Sequence, residues 1–333
     1  MMQVSYQKAL EVFDRFNNLQ KVPSLHPYYI VADAKRDQAL EPIFLVHEDD
    51  EAFAYHGFHL AKVEGTRYYD IQSPYGYGGL IASSEDQAFL SRVWSEHAVW
   101  CRDHKTMVEF IRFHPLVKNW RYYGGEVFND RQTVWLDLRK ENLLMSYSTR
   151  ARTAIRKALK NGLMVEWLSK DDFLPVFLNI YNGAMKEVDA DDMYYFSPEY
   201  YQILFSWDQA KLAVCKMNDI IVGAAVFLVG PGIMEYQLAG ANGLGKKLSA
   251  HNLLIHEAAL YGQRAGCSIM HLGGGTDAGR DNPLLFFKSS FSNLRADFKI
   301  GRNIFLPEAY RVMKAAWEKE HCQTARRVLF YRC

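Results

Sequence analysis

The feature of this sequence that most limits its fold is an order of elements that occurs twice. We call each occurrence of this order a pass. The residue pattern of each pass predicts a β-hairpin, a further strand, a glycine-rich loop, a helix and a final strand. The first pass uses residues 42–47, 52–55, 59–63, 67–71, 74–79, 89–99 and 107–113, and the second uses residues 211–217, 220–227, 234–238, 239–245, 249–264 and 268–272. The repeated order predicts a structural duplication without obvious identity between the two halves.

A chain of 333 residues has room for two domains. We expect an α/β (α+β) fold with two tandem domains, each a mixed, largely antiparallel sheet flanked by helices. The N-terminal domain is expected to hold residues 1–146 together with a returning C-terminal helix within 306–333, and the C-terminal domain to hold residues 147–305.

Composition and charge exclude several classes of protein. A formal net charge of +1 argues against a protein whose main task is to coat nucleic acid. The sequence contains no run of about 18 uncharged apolar residues, so we expect no membrane span. The first residues lack the basic and apolar regions of a secretory leader. No cysteine or histidine pair has zinc spacing, so we expect no metal site. These observations predict a cytoplasmic protein.

Three consecutive glycines, Gly273, Gly274 and Gly275, follow the final strand of the second pass. Such a run usually lies where the backbone approaches another group closely. Lys288 then follows among bulky apolar residues, where partial desolvation would make it a strong partner for an anion or a developing oxyanion. A lysine that extends its ammonium group into water is the alternative.

A second candidate site is the loop 242–247, where a strand meets a helix. Gly243, Gly245 and Lys246 lie where free helix N–H groups could hold a phosphate. The loop matches neither common nucleotide-binding motif, and a plain strand–helix turn is the alternative.

The first pass also contains candidate binding residues. Tyr75 and Tyr77 alternate with glycines, and an aromatic-rich turn is the alternative interpretation. Arg112 and His114 share one face at a strand end, where His114 could contact a substrate or be a satisfied structural histidine. The helix 148–162 carries five cations and is either a solvated face or a contact for a polyanion such as a sugar phosphate, a diphosphate lipid or RNA.

Five of these segments, in their order, resemble Fem-type transferases. The segments are residues 74–79, 110–115, 152–158, 269–275 and 287–291. That family comprises the peptidoglycan-bridge aminoacyl transferases and their FemA/FemB-like and BioF2-like relatives in the GNAT (N-acetyltransferase) superfamily. The resemblance covers the chain from about residue 40 to 305, and it implies two tandem GNAT-like domains.

The resemblance implies transfer of an acyl or aminoacyl group to an amine, with acyl-CoA or aminoacyl-tRNA as co-substrate and no permanently bound cofactor. The acceptor would be a small-molecule or lipid-linked cell-envelope precursor, either an amino sugar or a peptidoglycan peptide. The 74–79 segment also resembles the branch associated with cell-surface polysaccharide assembly. In Fem members the Phe-Lys pair, here Phe287 and Lys288, contacts the substrates at the reacting centre. Such transfer needs no covalent enzyme intermediate, which agrees with the lack of a nucleophile motif.

We therefore expect Lys288 to stabilise the oxyanion, with Asp70 as a hypothetical amine-orienting carboxylate or general base. The expected acceptor-binding residues are Tyr75, Tyr77, Arg112 and His114. The expected donor-binding residues are Gly243, Gly245, Lys246, Gly273, Gly274, Gly275 and Phe287. Two alternatives stay open: a catalytically degenerate GNAT pair that binds an anionic metabolite, and an RNA-binding protein that uses the 150–160 helix.

Overall fold

Two compact units make up the computed structural model, which describes residues 1–168, 173–277, 279 and 281–332. The first unit holds Met1–Gln20, Ser24–Asp130 and Phe298–Cys333, and the second holds Lys21–Pro23 and Arg131–Asp297. The domain boundaries expected from the sequence, after residues 146 and 305, lie further along the chain than the unit boundaries after Asp130 and Asp297. Two strands that the sequence analysis did not identify, at 126–137 and 295–304, contain the limits seen in the structure.

The first unit has a mixed sheet with helices beside it. Its strands are β1 Met2–Gln3, β2 Leu40–Glu48, β3 Phe53–Lys62, β4 Tyr69–Gln72, β5 Ile81–Ala82 and β6 Thr106–Arg112, and its helices are α1 Tyr6–Asp14, α2 Pro27–Ala34 and α3 Gln87–Asp103. β2, β3 and β4 pair antiparallel, β4 pairs parallel with β6, and β6 pairs antiparallel with residues 300–304. A long C-terminal helix belongs to this unit.

The second unit repeats that arrangement. Its strands are residues 131–137 of β7 Glu126–Asp137, followed by β8 Leu163–Trp167, β9 Ala210–Met217, β10 Ile220–Val229, β11 Ile233–Ala241 and β12 Ile269–Gly274. Its helices are α4 Leu143–Ser146, α5 Thr149–Lys160, α6 Phe173–Glu187, α7 Pro198–Ser206, α8 Gly243–Leu248, α9 Ala250–Arg264 and α10 Pro283–Ser289. β9, β10 and β11 pair antiparallel, β11 pairs parallel with β12, and β12 pairs antiparallel with β7. The last elements of the chain are β13 Arg295–Ile304 and α11 Pro307–His321.

In both units a hairpin and a third antiparallel strand lead through a helix to a parallel fourth strand, and an antiparallel strand completes the sheet. The predicted fold class, mixed and largely antiparallel sheets flanked by helices, is confirmed. Residues 52–55 and 59–63, expected as two strands, form the single strand β3. The helices α6 and α7 were not predicted.

Local signals explain several element ends. The side chain of Asp86 caps α3 by accepting a hydrogen bond from the backbone N–H of Phe89 at 2.8 Å, and Ser148 caps α5 in the same way. Asn218 adopts φ 54° in the turn of the β9–β10 hairpin, a conformation that asparagine tolerates well. These residues fix where the repeated elements begin and turn.

The parallel strand pairs of the two units differ in register. In the second unit, β11 and β12 pair with each other only over residues 233–235 and 269–271. Beyond these residues, β11 remains paired with β10 as far as Ala241, and β12 remains paired with β7 as far as Gly274. In the first unit, β4 and β6 pair through Gln72 and Phe110, and a further bridge joins Gly78 to Phe113. The carboxyl ends of β11 and β12 therefore diverge, which leaves an opening beside two loops.

The apolar core of the second unit packs α5 and α9 against the sheet through residues such as Ile155 and Leu254, both fully buried. The first unit has smaller apolar clusters around Ile111 and Phe113 and under α11. Within the described residues, none of the helices combines the length and the apolar character that crossing a membrane requires.

Candidate active site

Lys288 lies in α10, a short helix that the sequence places directly after the glycine run. Asn282 caps this helix and accepts hydrogen bonds from the N–H groups of Leu284 and Leu285, each at 3.1 Å, and Pro283 suits the first helical position. The cap fixes the helix start, and Lys288 is then carried to a buried position at its end.

The ammonium group of Lys288 lies at the opening between β11 and β12. Its Nζ donates a hydrogen bond to the carbonyl oxygen of Gly274 at 2.7 Å, and it lies 5.9 Å from the ring centre of Tyr236. In the described part of the chain it forms no ion pair. Burial therefore lowers the pKa of Lys288 to about 7. This is a desolvated cation with free donor capacity, which suits a developing oxyanion.

The glycine run shapes the backbone around that group. Gly273 has φ 75°, a conformation that side chains other than glycine's rarely adopt. A Cβ on Gly275 would collide with the side chain of Asn282, whose Nδ2 donates to Thr276 Oγ1 at 2.7 Å and to Asp277 Oδ2 at 2.8 Å. The glycines thus allow the loop to pass close to the helix that carries Lys288.

Phe287 is half-buried beside Lys288, and its ring centre lies 5.6 Å from that of Phe291 and 6.4 Å from that of His251. Burial lowers the pKa of His251 to about 4. The pair Phe287–Lys288 therefore combines an apolar wall with a buried amine.

The loop after β11 contains the other predicted donor-binding residues. Asn242 caps α8 by accepting from the N–H of Gly245 at 2.9 Å. A Cβ on Gly245 would collide with the carbonyl oxygen of Val222, whereas a Cβ on Gly243 would meet open space. Lys246 is exposed and forms an ion pair with Glu187. Gly245 is needed for packing, so Gly243 is the position where a ligand could approach the backbone.

The structure groups the four predicted acceptor residues around one loop of the first unit. The backbone N–H of Tyr75 donates to Asp33 Oδ2 at 2.8 Å, and its carbonyl oxygen accepts from the hydroxyl of Tyr29 at 2.7 Å. The ring of Tyr77 meets that of His114 edge-on, with centres 5.0 Å apart. The loop is held at several points, and both phenol side chains remain half-buried.

Arg112 and His114 make contacts that hold this loop and the one after β6. Arg112 Nη2 donates to the carbonyl oxygens of Pro74 at 2.6 Å and Ser73 at 3.3 Å. His114 Nδ1 accepts from the N–H groups of Leu116 and Val117 at 3.3 and 3.2 Å. These contacts favour positioning roles, and acceptor binding by either residue stays a prediction.

Asp70, the hypothetical base, is fully buried in β4. Its Oδ2 accepts from Arg332 Nε at 2.7 Å, so the carboxylate ties the C-terminal segment to the sheet. Burial raises the pKa of Asp70 despite the opposing charge of Arg332. An ion-paired carboxylate is a poor candidate for a base, so the contacts favour a structural role.

The sequence analysis missed a buried cluster around Glu109 on β6. His56 Nε2 and His97 Nε2 lie 3.0 and 3.2 Å from Glu109 Oε1, and the hydroxyl of Tyr123 donates to Oε2 at 2.9 Å. Burial opposes ionisation of Glu109, but His97 and His56 outweigh it and hold its pKa below the ordinary range. No spacing rule joins residues on a strand, a helix and another strand, so no sequence signal could have found the cluster.

The ligand atoms of His56, His97 and Glu109 lie within 4.8 Å of one another and could hold a metal ion. Metal-binding histidines usually donate through the second ring nitrogen. Among the described residues, Nδ1 of His56 and of His97 has no hydrogen-bond partner. A hydrogen-bonded network without metal therefore explains this cluster better.

Comparison with known proteins gives one family match. Residues 145–282, which contain α5, α8, β11 and β12, match the acetyltransferase (GNAT) domain family. The match includes the loop after β11 and the glycine run, and it ends at the residue that caps the helix of Lys288. No curated protein matches this sequence.

Solved structures resemble the whole fold. A structure described as FemX covers 94% of this chain and 99% of its own, with 13% identity and a TM-score of 0.73. The C-terminal domain of a protein described as a lysylphosphatidylglycerol synthetase of Agrobacterium fabrum covers 94% and 98%, with 14% identity and a TM-score of 0.61. The L-PGS structure of Bacillus licheniformis covers 91% and 94%, with 15% identity and a TM-score of 0.57. At these identities the likeness concerns the fold.

Proposed function

We propose that this chain, which matches the GNAT acetyltransferase domain family over residues 145–282 and has a fold like that of FemX, transfers an acyl or aminoacyl group to an amine of a cell-envelope precursor. The acceptor would be an amino sugar or a peptidoglycan peptide, free or lipid-linked, and the reaction would be cytoplasmic. The observation that carries this proposal is the buried Lys288 ammonium at the opening between β11 and β12.

In the proposed reaction the acceptor nitrogen attacks the acyl carbonyl carbon of the donor. The new C–N bond forms and negative charge develops on the carbonyl oxygen, which Lys288 Nζ stabilises by a charge-assisted hydrogen bond. The bond to the carrier then breaks, and the proton from the amine neutralises the released thiolate of CoA or the released alkoxide of the tRNA ribose. Holding both substrates in one site would supply much of the remaining acceleration.

The donor side of the proposal rests on the loops after β11 and β12. Gly243 offers open backbone at the start of α8, and Lys246 supplies a cation whose exposed ion pair with Glu187 contributes little stability and can be exchanged. Phe287 and the glycines 273–275 would surround the acyl group. Acyl-CoA fits this description as a co-substrate that is not permanently bound.

One observation, the exposed cations of α5, favours a charged tRNA as the carrier. The same observation favours the alternative that RNA binding is the main function. Arg150, Arg156, Lys157 and Lys160 are exposed on α5, and over the described ranges none has a carboxylate partner. Arg152 donates instead to the carbonyl oxygen of Tyr147, and Lys157 donates to that of Lys247, both at 2.7 Å. The surface cations to test are therefore Arg150, Arg156 and Lys160.

The experiment is a melting-temperature titration of the purified protein with acetyl-CoA, longer acyl-CoAs and a charged-tRNA mimic. Stabilisation by the CoA series supports an acyl-CoA donor and directs the acceptor search to amino sugars. Stabilisation by the tRNA mimic supports aminoacyl transfer to a peptide. This stabilisation should be lost at high salt and in a variant in which Arg150, Arg156 and Lys160 are all replaced by Gln. If neither ligand stabilises the protein, the transferase proposal fails and a degenerate binding module replaces it.

A further inference from the structure

A groove of about 900 Å³ lies in the first unit, beside α11 and the ends of α3 and β13. Its apolar lining includes Phe305, Val312 and Met313, and Val312 is 55% exposed. The volume lies in the range of about 300–1,000 Å³ that is usual for sites of small-molecule ligands. None of the residues proposed above for catalysis or substrate binding lines this groove.

Three cations, Arg67, Arg102 and Lys105, also line the groove. The carbonyl oxygen of Lys105 accepts from the N–H of Tyr69 at 3.1 Å, which joins the turn that carries Arg67 to the loop after α3. The N–H of Lys105 also donates to the carbonyl oxygen of Arg102 at 3.0 Å, so the backbones of the three cations lie together beside the groove. All three are exposed, and across the described residues none has a carboxylate partner.

The acid among the lining residues, Glu308, does not neutralise these cations. Arg311 on the same helix donates to Glu308 from Nη2 at 2.6 Å and from Nε at 3.1 Å. The groove thus combines an apolar floor with a cationic end whose charge is uncompensated. An apolar floor suits an aliphatic chain, and arginine and lysine together suit phosphate oxygens better than a single carboxylate.

We propose that this groove binds a single-chain amphiphile with a phosphomonoester head group. The chain lies over Phe305, Val312 and Met313, and the phosphate accepts hydrogen bonds from Arg67, Arg102 and Lys105. This site is separate from the proposed transfer reaction and does not depend on it. It would give the protein an affinity for phosphorylated lipids whatever the acyl donor is.

The test is isothermal titration calorimetry with lysophosphatidic acid below its micelle concentration. Three comparison ligands each lack one feature of lysophosphatidic acid. Lysophosphatidylcholine lacks the phosphomonoester, palmitate lacks the phosphate, and inorganic phosphate lacks the aliphatic chain. We expect lysophosphatidic acid to bind at least about tenfold more tightly than each of the other three. Equal affinity for the two lysolipids would overturn the proposal, and so would binding of phosphate alone with the same affinity.

Two independent variants locate the site. Replacing Arg67, Arg102 and Lys105 together by Gln, or Val312 by Glu, should each weaken lysophosphatidic acid binding by about tenfold or more. All four positions are exposed, so the fold should tolerate the changes. The matched control replaces Lys8, Arg92 and Lys319, cations of the same unit outside the groove, by Gln and should bind as the wild type does. Unchanged binding in either groove variant contradicts the assignment.

Discussion

Lys288 Nζ donates a hydrogen bond to the carbonyl oxygen of Gly274, 2.7 Å away, where β11 and β12 have separated. The ammonium group has further donors and no ion-pair partner in the described residues. A substrate oxyanion placed beside it would be held by a cation that water does not screen.

Replacing Lys288 should remove most of the activity while the donor still binds. We expect Lys288→Ala to lower kcat by about 10²–10³-fold, the loss usual for one oxyanion-stabilising donor. Lys288→Arg should retain part of the activity because it keeps the charge. Donor binding, followed by the melting temperature, should change little in both variants. Full activity in Lys288→Ala would remove Lys288 from the mechanism.

The pH profile separates a cationic role of Lys288 from a basic one. Burial lowers its pKa to about 7, so the cation is lost as pH rises through that value. The ratio of wild-type to Lys288→Arg activity should therefore fall above pH 7, and this ratio cancels the ionisation of the acceptor amine. A ratio that rises through pH 7 would show that neutral Lys288 acts as a base instead.

The same burial predicts a cost in stability. The folded-state pKa of about 7 lies below the unfolded value, so folding disfavours the charged form most below pH 7, and the cost fades as pH rises towards 10. Lys288→Met should raise the free energy of unfolding by a few kcal/mol at most, since one pKa unit corresponds to about 1.4 kcal/mol. Urea unfolding at pH 6 and pH 9 should show the larger gain at pH 6. An equal gain at both pH values would contradict this explanation.

Two glycines of the loop after β11 form a matched pair for testing donor binding. Gly245→Ala places a methyl group against the carbonyl oxygen of Val222, so it should lower the melting temperature. Gly243→Ala meets open space and should leave the melting temperature unchanged. If the donor approaches the backbone there, Gly243→Ala weakens donor binding by about tenfold through the loss of close contact. Unchanged donor affinity in a stable Gly243→Ala variant would exclude this loop from the donor site.

The sequence predicted those parts of the protein that depend on neighbouring residues. The hairpin at Asn218, the Ser148 cap and the order of strand, glycine loop and helix are local patterns, and the structure contains them. The pairing of β12 with β7 joins residues far apart in the chain, and no local pattern specifies it. Lys288 stood out because a lysine among apolar residues is unusual, whereas Glu109 lies in an ordinary strand pattern and gave no signal.

The fully buried Asp70 and the partly exposed Arg332 form an ion pair whose loss should affect stability more than catalysis. Arg332→Gln leaves the fully buried carboxylate without its cation and should cost about 3–5 kcal/mol. The single substitution Asp70→Asn removes the buried charge itself, so it should lower the free energy of unfolding by less than Arg332→Gln does. Because burial raises the pKa of Asp70 in the folded state, the Arg332→Gln variant should lose stability further as pH rises above the unfolded value of about 3.9.

Kinetics on the Asp70 variants decide between the structural role and the base. If Asp70 is structural, kcat of Asp70→Asn stays within about threefold of the wild type at a temperature where both are folded, since no reacting group is lost. A fall in kcat of about 10²-fold or more with an unchanged melting temperature would restore Asp70 as the general base.

The Glu109 cluster should make the first unit sensitive to acid. The pKa of Glu109 is lowered in the folded state, so its contribution is present above the unfolded value of about 4.3 and is lost as pH falls below it. Burial lowers the pKa of His56, so protonation of that ring starts to weaken the fold below about pH 6.5. Glu109→Gln should cost about 2–4 kcal/mol at pH 7, because it loses charge-assisted hydrogen bonds at a fully buried site.

The difference between Glu109→Gln and the wild type should then shrink between pH 4 and pH 2, because acid removes the same charge. Glu126→Gln is the control, since its carboxylate is exposed and its ion pair with Arg302 is a surface contact. The control should unfold like the wild type at each pH, measured by urea titration. A Glu109→Gln variant as stable as this control at pH 7 would show that the ionised carboxylate does not hold His56, His97 and Tyr123 in place.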